Sequence, residues 1–349
     1  LSPDSLAAEL VALAATVVAG VLLAVTWDVA SGWRRALLRA TGGALCVATA
    51  LATTLVWVNR QVATYSNWSD LFGTTKPVDP AVEASYAPRT VDGRRGGRVE
   101  AFTVTGPASG LKLPVYAYLP AAYDAMPTAR FPVIEALHGF PGSPKTWLNR
   151  LAVVDHLDRE IAEERMAPTV VLFPYQTPDP LVDTECVNLA KGPQAETFLT
   201  VDVPAAARQR FRIRADRAGW GLIGYSAGGF CAANLVLRHP DRYAAGASLS
   251  GYADPGITIG DGSERTDNNV AWRLQHLPQP PVGLYLSCSR ADRKAMRGTA
   301  ALTALAHAPM SVTTAYVDGG GHNDLTWQAM EAPAFDWLST WLGRPVPGT

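Results

Sequence analysis

The stretch GLIGYSAGGFCAANLVLRHP, residues 221–240, decides how the chain is read. It opens on an apolar, strand-like run, passes a serine set between glycines in a G-x-S-x-G pattern, and continues with helical periodicity. Two explanations compete for Ser226. It is a nucleophile on a strained strand-to-helix turn, or a small residue that fits a tight bend. The pattern alone recurs by chance, so the surrounding chain has to choose.

Working outward, short apolar runs alternate with helical stretches from residue 99 onward. VEAFTVTG and LPVYAYLP read as a leading antiparallel pair. PVIEALHG (132–139), PTVVLFPY (168–175), GWGLIGYS (219–226), YAAGASLSG (243–251), VGLYLSCS (282–289) and SVTTAYVDG (311–319) follow as buried strands. Helices are expected near 146–165, 196–210, 227–238, 264–276, 291–307 and 326–342. Strands alternating with helices predict a mostly parallel sheet covered on both faces. Eight strands in this order fit one α/β-hydrolase domain, in which the serine turn follows the fifth strand. No internal repeat is visible.

A serine nucleophile needs a base, an acid and an oxyanion hole. Of the six histidines, His239 ends the helix after Ser226 and reads as a packing or capping residue. His156, His276 and His307 lie in helical patterns. His322 stands apart, in the glycine loop VDGGGHNDLTW after the last strand, where this fold delivers its base in the chain order Ser, acid, His. The acid is expected after the seventh strand, where YLSCSRADRKA places Asp292, although Asp292 could instead cap the helix that follows. Asp254, in SGYADP, and Glu264 are the other candidates, whereas Asp318 is too close to His322 in sequence. The oxyanion hole needs two backbone N–H donors. Ala227 directly follows the nucleophile, and Phe140 lies in the loop LHGFPGSPKTW after the third strand. His138 shapes that loop without proton chemistry. The segments 176–195 and 264–276 are expected to line the pocket.

Composition excludes several other classes. Thirty Lys and Arg balance 31 Asp and Glu, which argues against a nucleic-acid surface. The sequence contains no zinc-type cysteine pairs, Walker loop or G-x-G-x-x-G after a strand, and no metal or cofactor is implied. The apolar excess, 48% of residues overall, concentrates near the N-terminus. LVALAATVVAGVLLAVTW (10–27) and ALLRATGGALCVATALATTLVWV (36–58) are each about as long as the ~20 residues that cross a hydrocarbon core. A signal peptide is the competing reading of the first run, but Glu9 precedes it and a basic n-region is lacking. The loop between the runs carries Arg34, Arg35 and Arg39, so the positive-inside rule places it in the cytoplasm and everything after residue 58 outside. The chain thus divides into a two-span anchor (1–58), a linker (59–98) ending in the basic RTVDGRRGGR, and a catalytic domain (99–349).

At ETFLTVDVP (196–204), GYSAGGF (224–230), HPDRYAAGASLSGYADP (239–255) and GGGHND (319–324), the chain resembles the esterase family of α/β hydrolases that includes esterase D and the mycolyltransferases. The likeness covers roughly residues 99–343. It implies an α/β-hydrolase fold, chemistry through an acyl-serine intermediate, and Ser226, His322 and an acid at the Asp292 loop as the catalytic set. The HGFPG loop is closer to a general esterase than to a mycolyltransferase. The expected activity is a membrane-anchored serine ester hydrolase acting outside the membrane on an envelope lipid or on an acyl or aminoacyl ester. An acyltransferase and a non-catalytic envelope scaffold are the alternatives. Cysteine usage fits an external site: Cys186, before ETFLT, and Cys231, after the serine, are expected to form a disulfide, with buried thiols as the other reading.

Overall fold

The computed structural model describes residues 3, 5–62, 68, 90–91 and 94–348. It contains two compact units, Leu1–Asp79 and Pro80–Thr349. The first unit holds helices α1 (Leu6–Thr26) and α2 (Gly32–Val62). Ser5 caps α1 by accepting the Ala8 N–H at 3.1 Å. Both helices are long and apolar enough to cross a membrane; at 1.5 Å per residue, α1 reaches about 31 Å. Val11, Val18, Leu45, Leu51 and Leu55 are exposed, as expected of surfaces suited to an apolar medium. The two helices meet through the Thr16 and Thr53 hydroxyls, 2.9 Å apart, and through an Arg60–Glu9 ion pair. Arg39 closes the connecting turn by donating to the Trp27 carbonyl at 3.0 Å and to Asp28 at 3.1 Å.

Most of the expected linker, 59–98, lies outside the described residues, and its two ends belong elsewhere. The helix α2 runs past residue 58 to Val62, and Thr90–Val91 pairs antiparallel with Arg94–Arg95. Gly97 is buried, and its N–H donates to Asp158 at 2.7 Å. The C-terminal end of the basic segment is therefore built into the second unit, because backbone there has a carboxylate partner. Arg98 pairs with Asp124 at 2.8 Å and with Glu100 at 3.2 Å, so its charge is spent within the fold.

The second unit is built on an eight-stranded sheet. Its strands are β1 (Arg98–Thr105), β2 (Lys112–Leu119), β3 (Val133–Leu137), β4 (Val170–Pro174), β5 (Trp220–Tyr225), β6 (Ala245–Leu249), β7 (Gly283–Ser289) and β8 (Ser311–Val317). Their spatial order is β8-β7-β6-β5-β3-β4-β2-β1. The β1–β2 and β2–β4 pairs are antiparallel and the others parallel. The central strands read as unbroken apolar runs because both faces are covered. Helices α3 (Val153–Ala162) and α8 (Asp324–Leu342) pack on one face with Ile134, Ala136, Ile223 and Tyr225. On the other face, Val133, Leu137 and Leu222 meet α4 (Val203–Arg210), α5 (Ala227–Arg238), α6 (Val270–His276) and α7 (Arg293–Leu305).

Two predicted helices are shorter than expected. The 146–165 stretch breaks at Ala152, whose φ of 52° is left-handed, so a wide turn at Thr146–Arg150 precedes α3. In the 264–276 stretch only Val270–His276 is α-helical, because Asn269 caps it by accepting the Trp272 N–H at 2.9 Å.

One core group makes stability depend on pH. Glu135, in the middle of β3, is fully buried, and burial pushes its carboxyl from an ordinary 4.5 up to about 8, against the opposing Tyr243 hydroxyl and the Arg208 and Arg242 charges. An unfolded glutamate ionises near 4.5, so the contribution is fully present below that value and is lost as pH rises toward 8. Glu135→Gln should therefore gain stability over the wild type on going from pH 5 to 8, by on the order of 1.4 kcal/mol per pH unit crossed. Urea denaturation at both pH values reads this; parallel curves for the two proteins would assign the titration to another group.

Candidate active site

Ser226 sits between β5 and α5 with φ 55° and ψ −120°. A side-chain-bearing residue is strained at positive φ and holds there only when its surroundings determine it. They do so here: the Ser226 N–H donates to the Leu249 carbonyl at 2.9 Å, and the Ser226 carbonyl accepts from Phe230 at 3.1 Å. The flanking glycines answer a steric demand. A Cβ on Gly224 would lie 2.0 Å from the Gly228 carbonyl oxygen, and one on Gly228 would lie 2.2 Å from that of Leu137. Strand and helix therefore approach as closely as backbone allows, which lifts the serine to the strand's carboxyl end.

His322 reaches this point from the opposite side of the sequence. After β8, Gly319, Gly320 and Gly321 take φ values of 74°, 80° and 86°, a turn that few other residues could follow. The Ser289 hydroxyl ties this loop, donating to the Gly319 carbonyl and accepting the Gly321 N–H at 3.2 Å. His322 Nε2 then lies 2.8 Å from Ser226 Oγ, and its Nδ1 lies 2.5 Å from Asp292 Oδ2. Trp327, on the first turns of α8, braces the pair. Its ring meets His322 edge-on at 5.0 Å and stacks on Tyr225 at 4.6 Å.

Asp292 makes both of the contacts the sequence left open. One carboxylate oxygen faces His322, and the other caps α7 by accepting the Ala295 N–H at 3.1 Å. The side chain is 5% exposed, whereas the His322 side chain is 41% exposed and open to water. The other acids are engaged elsewhere. Glu264 accepts the Ile259 N–H at 3.3 Å, Asp318 pairs with Arg290 at 3.1 Å, and Asp254 stands beside Glu185 and Tyr252.

Of the two expected oxyanion donors, Ala227 opens α5, so its N–H belongs to the first turn and has no intrahelical acceptor. Phe140 follows Gly139, where a Cβ would come within 3.2 Å of Ser226 Cβ, so the loop after β3 passes directly over the serine. His138 is buried, which pushes its imidazole down to about 4 and keeps it neutral; its Nδ1–H donates to the Gly139 carbonyl at 2.9 Å.

Cys186 and Cys231 are joined in a disulfide that ties the 176–195 loop to α5. In that loop burial, with the nearby charges of Asp183 and Asp254, pushes the Glu185 carboxyl well above the usual carboxylate range, and the Tyr252 hydroxyl donates to it. The ETFLT segment serves as scaffold: Glu196 receives Arg238 at 2.9 Å and His239 at 2.8 Å, fastening the end of α5. His156 pairs with Glu331, and His276 and His307 bond to nearby carbonyls at 2.8 Å. Two residues packed around the site, Trp327 and Gln176, went unmarked in the sequence reading. Trp327 had a positional signal, five residues after His322 on the helix that the histidine loop enters. Gln176 had none.

The sequence family described as "Putative esterase" matches residues 107–340. An uncharacterized protein of Corynebacterium glutamicum is 26% identical over 305 residues, covering 78% of this chain and 71% of its own. Among solved structures, a ferulic acid esterase superposes with a TM-score of 0.61 at 19% identity, covering 71% of this chain and 99% of its own. The S-formylglutathione hydrolase of Agrobacterium tumefaciens also reaches 0.61, at 15% identity over 75% of this chain and all of its own. FphF, a fluorophosphonate-binding serine hydrolase of Staphylococcus aureus, reaches 0.56 at 16% identity, covering 70% of this chain and 99% of its own. These structures share its fold. With the family match spanning both the serine elbow and the histidine loop, the chain belongs to this esterase family of α/β hydrolases.

Proposed function

We propose that the protein is a membrane-anchored serine ester hydrolase with Ser226 as nucleophile, His322 as base and Asp292 as the orienting acid. The observation that carries this reading is the unbroken line of bonds from Ser226 Oγ through the imidazole to Asp292, at 2.8 and 2.5 Å. His322 Nε2 takes the hydroxyl proton as Oγ bonds to the ester carbonyl carbon. The Phe140 and Ala227 N–H groups receive the resulting oxyanion. Collapse breaks the bond to the alcohol, which leaves with the proton from Nε2, and an acyl-serine remains. Water, activated by the same imidazole, then releases the acid; the exposure of His322 favours water over a second alcohol as acceptor.

The apolar helices α1 and α2 anchor the chain, with the turn between them and the arginine-bearing start of α2 (Arg34, Arg35 and Arg39) in the cytoplasm and the catalytic unit outside. The Cys186–Cys231 disulfide suits that oxidising side. The substrate is an envelope lipid or an acyl or aminoacyl ester. A membrane-impermeant fluorophosphonate tests activity and orientation together. It should label the protein equally in intact and lysed cells. Labelling only after lysis overturns the outward orientation, and no labelling of folded protein in either favours a non-catalytic scaffold.

A further inference from the structure

We infer that Gln176 is a positioning residue that aims the oxyanion-hole donor at Phe140, working through the backbone and ring of His138. The inference rests on the reading of Ser226 as an esterase nucleophile and adds to it a part that no motif contains.

The geometry is a chain of three rigid steps. Gln176 lies just beyond β4 and is 5% exposed. Its carboxamide makes two bonds to one residue. Oε1 accepts the His138 N–H at 2.5 Å, and Nε2 donates to the His138 carbonyl at 3.0 Å. The backbone pairing of β3 with β4 stops at Glu135 opposite Leu172, so the amide takes the place of a neighbouring strand where the ladder has run out. Both backbone groups of His138 are thereby held. The His138 ring then donates from Nδ1 to the Gly139 carbonyl at 2.9 Å. That carbonyl shares a planar peptide unit with the Phe140 N–H. In a trans unit the C=O and N–H point in opposite directions, so fixing one aims the other.

Gln176 is itself held from the disulfide loop. The Thr184 hydroxyl donates to the Gln176 carbonyl at 3.1 Å and accepts the Cys186 N–H at 3.3 Å. Gln176 Nε2 also lies 4.0 Å from Cys231 Sγ. The loop pinned by Cys186 and Cys231 thus frames the residue that frames the oxyanion loop. Preorganised donors act on the charge that develops in the transition state, and a donor turned away loses that effect while leaving ground-state binding alone.

The test uses the full-length protein in detergent with p-nitrophenyl butyrate. Gln176→Ala should lower kcat by about 10- to 100-fold, short of the roughly 10²–10³ typical for complete loss of a donor. KM should stay within about twofold. Affinity for a trifluoromethyl ketone of matched acyl length, whose hemiketal oxygen occupies the hole, should fall by the same factor as kcat/KM. Gln176→Glu, which keeps the acceptor and loses the donor, should be intermediate, and it carries the test if the alanine variant does not fold. An unchanged kcat, or a ketone affinity that fails to follow kcat/KM, overturns the inference. If the wild type and Ser226→Ala are equally active or equally inert, the esterase reading itself has failed, and this inference goes with it.

Discussion

Ser226→Ala should lower kcat for ester hydrolysis by about five to six orders of magnitude, as expected when the nucleophile of an interdependent catalytic set is removed. The hydroxyl is the only group at this position that the proposed chemistry consumes. The backbone at φ 55° is held by bonds from the main chain of Ser226 to Leu249 and Phe230, which alanine keeps. Thermal stability should therefore change little, and the loss of activity will not trace to unfolding. What survives should be the modest catalysis that oxyanion donors and binding supply without a nucleophile. Intact-mass measurement after fluorophosphonate treatment should show one adduct on the wild type and none on the variant. A variant that keeps activity within tenfold of wild type, or still takes the label, would show that another group performs the attack.

The second large effect separates the two duties of Asp292. Asparagine caps a helix about as well as aspartate, so Asp292→Asn should retain the bond to the Ala295 N–H and with it the wild-type melting temperature. It should nonetheless lose about 10⁴-fold in kcat. An amide facing Nδ1 can donate its own hydrogen, which leaves the proton of the neutral ring on Nε2, where it can no longer accept from Ser226. Asp292→Ala should lose both duties, adding a destabilisation of about 1 kcal/mol from the missing cap. Paired kinetics and calorimetry read the two effects independently. If the asparagine variant keeps kcat within tenfold of wild type, the acid lies elsewhere and Asp292 is a cap alone.

The parts of the site legible in the sequence were those written into short segments. Ser226 stood between an apolar run and a helical one, with glycines where strand and helix backbones touch. His322 was marked by three consecutive glycines after the final strand. The choice of acid was less visible. Asp292, Asp254 and Glu264 all follow strands on the same edge of the sheet. Only the fold reveals that Asp292 turns one oxygen to His322 while Glu264 is occupied by its own loop. The 264–276 helix was overestimated because its pattern continues upstream of Asn269, whose side chain ends the helix by capping it.

Gln176 marks the limit of such reading. Its partner His138 is 38 positions away, a separation that leaves no periodicity in the chain. The succession of strands along the chain, the serine elbow and the histidine loop were determined by the sequence alone, because each depends on backbone sterics and burial within a few consecutive residues. Which acid meets the histidine and which amide steadies the oxyanion loop was decided only by the tertiary structure. Hydrogen bonds act over about 3 Å, and the crossovers that set the order β8-β7-β6-β5-β3-β4-β2-β1 are what bring distant loops within that reach.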